Sequence, residues 1–176
     1  MLRPLRELQA LEWGTTGVRI LVCCLAVCAA LAGSAGAEPL PRPCVPTVAR
    51  PPYPDPAQPS FNYGNATIRV ALSPANGRIV AGRLPGGGQR ATINDDGSID
   101  AKFGWWRSGS GKIRISGRRV DGPSPPLRAD VPGGYPAGFQ ASALTFPRTG
   151  CWRVSGRYGG ASLTFTVLVS KSRLGP

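Results

Sequence analysis

The sequence predicts an all-β fold. From about residue 61 onward, short apolar runs are punctuated by Gly, Pro, Asn and Asp. None has the 3.6-residue period of a long amphipathic helix, whereas several alternate with period two. About 110 residues then remain for the folded body. Short strands at this spacing predict a single immunoglobulin-like antiparallel β-sandwich of about eight or nine strands. The predicted organisation is a signal peptide or membrane anchor at 1–37, a proline-rich spacer at 38–60, the sandwich at 61–170 and a tail at 171–176.

Five segments carry the strand pattern most clearly. "TIRVALS" places Ile68, Val70 and Leu72 on one face and Arg69 on the other. "IDAKFGWW" groups Ile99, Ala101, Phe103 and Trp105, opposite Asp100, Lys102 and Trp106. "KIRISGR" turns Ile113 and Ile115 inward and Lys112, Arg114 and Arg118 outward. "CWRVSGRY" turns Trp152, Val154 and Tyr158 inward and Cys151, Arg153 and Arg157 outward. "LTFTVLV" aligns Leu163, Phe165, Val167 and Val169. Weaker strands are expected near Arg78–Leu84, Gln89–Ile93, Leu127–Val131 and Gln140–Phe146. The last two strands should form a hairpin through Gly159-Gly160.

The start of the chain reads as an export leader. Arg3, Arg6 and Arg19 precede the uncharged run "ILVCCLAVCAALAGSAGA", which ends in Ala35-Gly36-Ala37 before Glu38-Pro39, an A-x-A cleavage pattern. Two other readings stay open. The run is long enough to be retained as a membrane anchor, and "LAVC" resembles a lipoprotein box with valine in a poorly fitting place. All three put the body outside the cytoplasm, secreted or tethered at the outer face of the membrane. The spacer holds nine prolines between residues 39 and 59, a density that keeps a chain extended and removes backbone donors. An envelope stalk is its expected job.

Past the leader only Cys44 and Cys151 remain. In an oxidising compartment they are expected to pair. The bridge would close a loop of about 107 residues, worth up to about 4.7 kcal/mol in the chain-entropy account. Because alternation puts Cys151 on an outward face, that bridge would strap the proline-rich segment across the outside of the sandwich. It would act as a clasp and not as a core staple.

"KFGWWRSGSGKIRISGRRVDGPSPPLRADVPGGY" and "GFQASALTFPRTGCWRVSGRYGGASLTFTVLV" resemble a group of secreted or lipid-anchored bacterial proteins that end in an FP-x-x-GCW-x-V-x-G motif. The similarity runs from about Lys102 to Val169. It implies an exported small β domain with a cysteine in its proline-rich N-terminal part. The group carries no assigned reaction, so it implies none here.

Chemistry is narrowed by what the chain lacks. It has no histidine, and Met1 is its only methionine. That removes Ser-His-Asp and Cys-His arrangements and imidazole-bearing metal sites, so no metal and no cofactor is expected. The 21 Lys and Arg against 9 Asp and Glu give a formal charge of +12. Such a balance suits salt-sensitive attraction to an anionic envelope polymer or lipid surface, with an extracytoplasmic protein as the other partner class and no specific nucleic acid. If the Lys112 and Cys151 strands share a sheet, Arg114, Arg118, Arg153 and Arg157 form a basic stripe whose guanidinium forks suit phosphate and carboxylate. Trp106 joins them as a candidate stacking surface, the other reading being that a loop or the N-terminal strap covers it. The expected function is a non-enzymatic envelope module; the alternatives are a carboxylate-dependent hydrolase, which would rest on Asp100, Asp121 and Asp130, and a purely structural module with no ligand. "INDDGSID" reads as an Asp96-Gly97 turn rather than a calcium loop, and "LPGGGQR" as a flexible connection. "NAT" at Asn65 fits a glycosylation sequon, and Arg118 and Arg119 should meet Asp121 only weakly.

Overall fold

The computed structural model describes residues 43–82 and 91–173. The leader, the "LPGGGQR" connection and the last three residues lie outside them. Among the described residues there are ten strands and no helix. They are β1 (Tyr63–Gly64), β2 (Ile68–Val70), β3 (Arg78–Ala81), β4 (Ala91–Ile93), β5 (Ile99–Arg107), β6 (Arg114–Arg119), β7 (Arg128–Asp130), β8 (Gly138–Phe146), β9 (Gly150–Tyr158) and β10 (Ala161–Lys171). One sheet runs β1-β2-β5-β8-β7, with β4 also on β5, and the other runs β3-β10-β9-β6.

The two inner faces meet in one core, and alternation predicted most of it. Ile68, Val70, Ile99, Phe103, Trp105, Trp152, Val154, Leu163, Phe165 and Val167 are all buried. Phe165 lies at the centre, with the rings of Phe103 and Trp105 each 5.9 Å away and Tyr63 at 6.4 Å. The Trp105 indole lies against Gly156 of the other sheet, where a Cβ would come within 2.7 Å of the ring. Its N–H donates to Ser142 Oγ at 3.0 Å, so the buried polar edge is satisfied.

Four differences from the sequence reading have physical causes. The four-stranded sheet is mixed and not antiparallel, because β3 runs parallel to β10. Ile115 and Tyr158 are only half-buried, since β6 is an edge strand and Tyr158 sits at the hairpin end. A tenth strand, β1, pairs Tyr63 with Val70 and is too short for periodicity to reveal. Finally, part of the proline-rich segment packs on the sandwich: Ala49 is buried in the core.

The clasp is present. Cys44 is bonded to Cys151, and Cys151 is buried although its side chain leaves the outer face of β9. Beside the bridge the strap lies along the edge of β10: Thr47 N–H donates to Thr166 O at 2.8 Å, and Thr166 N–H to Thr47 Oγ1 at 2.9 Å. Gly77 is required beneath it, because a Cβ there would collide with the Thr47 carbonyl. The hairpin through Gly159 and Gly160 has φ of 54° and 81°, the primed-turn geometry that matches sheet twist. Replacing both Cys44 and Cys151 by Ser is expected to lower unfolding free energy by about 2–5 kcal/mol, read from urea denaturation of the oxidised protein and the variant.

Candidate functional site

The β6 and β9 strands pair directly, and their register brings the predicted arginines together. Arg114 stands opposite Arg157, Ser116 opposite Ser155 and Arg118 opposite Arg153. The β10 strand extends these rows with Ser162, Thr164 and Thr166. All four arginines are exposed. The outer face is therefore a two-by-two arginine grid with a hydroxyl row between the pairs, in which Ser155 Oγ and Thr164 Oγ1 lie 2.9 Å apart. Among the described residues the only ion pairs are Arg69–Asp55 and Arg119–Asp121, so no carboxylate neutralises the grid. Directly opposed like charges weaken a sheet, and these two pairs are accordingly free to take an anion.

At the hairpin end the grid opens into a shallow depression of about 670 Å³, lined by Lys112, Arg114, Arg157, Tyr158 and Ser162 among others. Its rim is organised by Arg107, which sequence reasoning left unremarked. Arg107 faces inward on β5 and is only 1% exposed. Its guanidinium donates to the carbonyls of Gly111 at 2.6 Å, Pro136 at 2.7 Å, Tyr135 at 3.0 Å and Gly109 at 3.2 Å. A buried cation thus ties the 109–111 turn, next to Lys112, to the 135–136 loop through carbonyl dipoles alone. Tyr158 completes the turn by donating to Ser110 O at 2.8 Å.

Trp106 does not join the arginines. It lies on β5, in the other sheet, opposite Arg69 of β2. The Arg69 guanidinium stacks on its ring at 3.9 Å, donates to Asp55 Oδ2 at 2.8 Å and is itself buried. Alternation placed Arg69 and Trp106 on an outer face correctly, but Asp55 from the proline-rich segment covers that face. The Arg69 hydrogen bond, with the Ala57 N–H, holds the Asp55 carboxyl below the ordinary aspartate range.

The remaining candidates are structural. Asp121 pairs with Arg119 Nε at 2.7 Å and accepts from Cys151 N–H at 2.9 Å. Asp100 and Asp130 lie on the other sheet, on different strands, so the three carboxylates are not brought together. The 94–98 segment is a turn, with Gly97 N–H donating to Asn94 O at 2.8 Å. Ser98 bonds hold Asp96 below its ordinary range, and no metal-holding group of side chains occurs among the described residues. The Asn65 carboxamide oxygen accepts from Thr67 N–H at 2.9 Å and Ile68 N–H at 3.0 Å, closing a local turn.

The FP-x-x-GCW-x-V-x-G residues build a corner. Phe146 meets Trp152 edge-on at 5.5 Å, and the Trp152 indole N–H donates to Arg148 O at 3.0 Å. Gly150, at φ 131°, leaves the space that the Arg119–Asp121 pair occupies, and Gly156 leaves that of Trp105. Comparison with family models, with curated proteins and with solved structures gives no match for the chain.

Two outcomes follow from this geometry. Arg107→Lys keeps the charge but loses the planar fork, and it is expected to cost more than about 2 kcal/mol in urea denaturation, with faster amide exchange at 109–112. Because the Asp55 pKa is depressed by folding, its pairing with Arg69 contributes fully at neutral pH and is lost as pH falls through the folded value. Acid titration should change Trp106 fluorescence with a midpoint below that of an unperturbed aspartate. Asp55→Asn should abolish the step, and Trp106→Phe should abolish the signal.

Proposed function

We propose that the protein is an exported, non-enzymatic module of the cell envelope that binds an anionic envelope component through Arg114, Arg118, Arg153 and Arg157. One observation carries this reading: the arginines face one another in two cross-strand pairs with no acidic partner among the described residues. Evenly solvated basic residues kept only for solubility have no need to align in register. The leader pattern and the disulfide support export. The immunoglobulin-like type is part of the same proposal. Strand order β2-β5-β8-β7 against β6-β9-β10, with β3 along β10, parallels the ABED and CFG sheets of such domains. The chain's first part then divides between the two sheets.

The test is co-sedimentation of the exported protein with washed cell envelopes and with anionic vesicles at low and high salt. Binding should fall steeply with salt, and it should fall at least about tenfold, the equivalent of 1.4 kcal/mol, when all four arginines are replaced by Glu. Salt-insensitive binding that survives the replacement would assign recognition to another surface and a protein partner. Absence of binding at either salt would leave the grid without a ligand and refute the proposal.

A further inference from the structure

We infer that the ligand of the arginine grid is a linear phosphodiester polymer of the polyol-phosphate kind, lying extended between β6 and β9. The inference rests on the anion-binding reading above and adds the ligand's chemical class. Its basis is the spacing of three rows. Arg114–Arg157, Ser116–Ser155 and Arg118–Arg153 are successive outward positions on paired strands, so adjacent rows stand about 6.8 Å apart and the two arginine rows about 13.6 Å apart.

A polymer that satisfies both arginine rows must repeat its charge on that interval or a simple fraction of it. A three-carbon polyol phosphodiester has six backbone bonds per repeat, so it reaches about 7 Å when extended. That repeat matches the row spacing. Alternate phosphates then meet the facing guanidinium pairs, each able to fork one phosphate from both sides. The intervening phosphate lies over Ser116, Ser155 and Thr164. There one hydroxyl of the 2.9 Å Ser155–Thr164 pair donates to the other, which leaves the acceptor's proton free to donate outward.

The same face argues against two other sources of phosphate. A single nucleic-acid strand also has a six-bond repeat, but it gains affinity from aromatic platforms. The three rows hold only Arg, Ser and Thr, and Trp106 is in the other sheet beneath Arg69. A membrane surface would be gripped by arginines together with apolar or aromatic side chains entering the interface, and these rows supply none.

The experiment measures affinity of the exported protein for oligo(glycerol phosphate) of one to eight phosphates. Oligothymidylate of matched phosphate number and phosphatidylglycerol vesicles are run alongside. The expected result is a jump of at least about tenfold at three phosphates, the shortest chain that spans both arginine rows, followed by a gentle rise. Arg118→Gln with Arg153→Gln should remove the jump while the remaining Arg114–Arg157 pair still holds a single phosphate; these exposed replacements leave the core intact, which circular dichroism verifies. Affinity that climbs evenly with phosphate number would overturn the inference, as would oligothymidylate binding equally well. Arginine-dependent binding to vesicles without any jump would overturn it too, while leaving the envelope-binding proposal in place. Failure of all three probes together with cell envelopes would end both.

Discussion

The Asp121 carboxylate stands just past the end of β6 and is held from two sides, by Arg119 Nε at 2.7 Å and by the Cys151 N–H at 2.9 Å. It fastens the last turn of one strand to the first residues of another at Gly150, where any Cβ would collide with both partners. That attachment lies at one end of the β6–β9 pairing. With Arg119 opposite Trp152, every second residue of β6 faces outward across from its counterpart on β9. A slip of one residue would turn Arg114 and Arg118 toward the core and put Ile115 in solvent. The Asp121 carboxylate and the missing methyl group at Gly150 thus hold one end of the pairing that aligns the arginine grid and the hydroxyl row.

Much of this was legible in the sequence, because a half-buried strand writes its two faces into alternate residues. Trp105 and Trp106 were separated correctly on that basis alone, as were Cys151 and Trp152. The disulfide followed from the two cysteines left past the leader, and its position on the outer face from the same alternation. Alternation says which side of a sheet a residue faces, however, and not what lies over it. Arg69 reads as outward and is buried, because Asp55, fourteen positions earlier, returns to cover it. The parallel pairing of β3 with β10 was also illegible, since pairing partners far apart in sequence leave no periodic trace. The Gly-Cys-Trp motif was visible as a string of letters, but its reason is steric and appears only when the Arg119–Asp121 pair is seen in the space above Gly150.

Two groups stand apart from the other described arginines, of which Arg50, Arg78, Arg128, Arg148 and Arg173 are also exposed. Arg69, Arg107 and Arg119 each have their guanidinium committed to a carboxylate, to an aromatic ring or to backbone carbonyls. These three hold the chain together, and each is a case where a planar donor array serves several acceptors at once. Arg114, Arg118, Arg153 and Arg157 have no such partner and are set in facing pairs on a rigid two-strand ladder. Facing like charges cost a sheet a few tenths to about 1 kcal/mol per pair, which is an appreciable part of a small domain's stability. The facing pairs stand where, on the proposal above, an incoming anion would remove the repulsion. On that proposal, binding at this face would relieve a cost already present in the free protein. The rigidity of the ladder, set by Asp121 at one end and the Arg107-held turn at the other, means that little further ordering is required when the anion arrives.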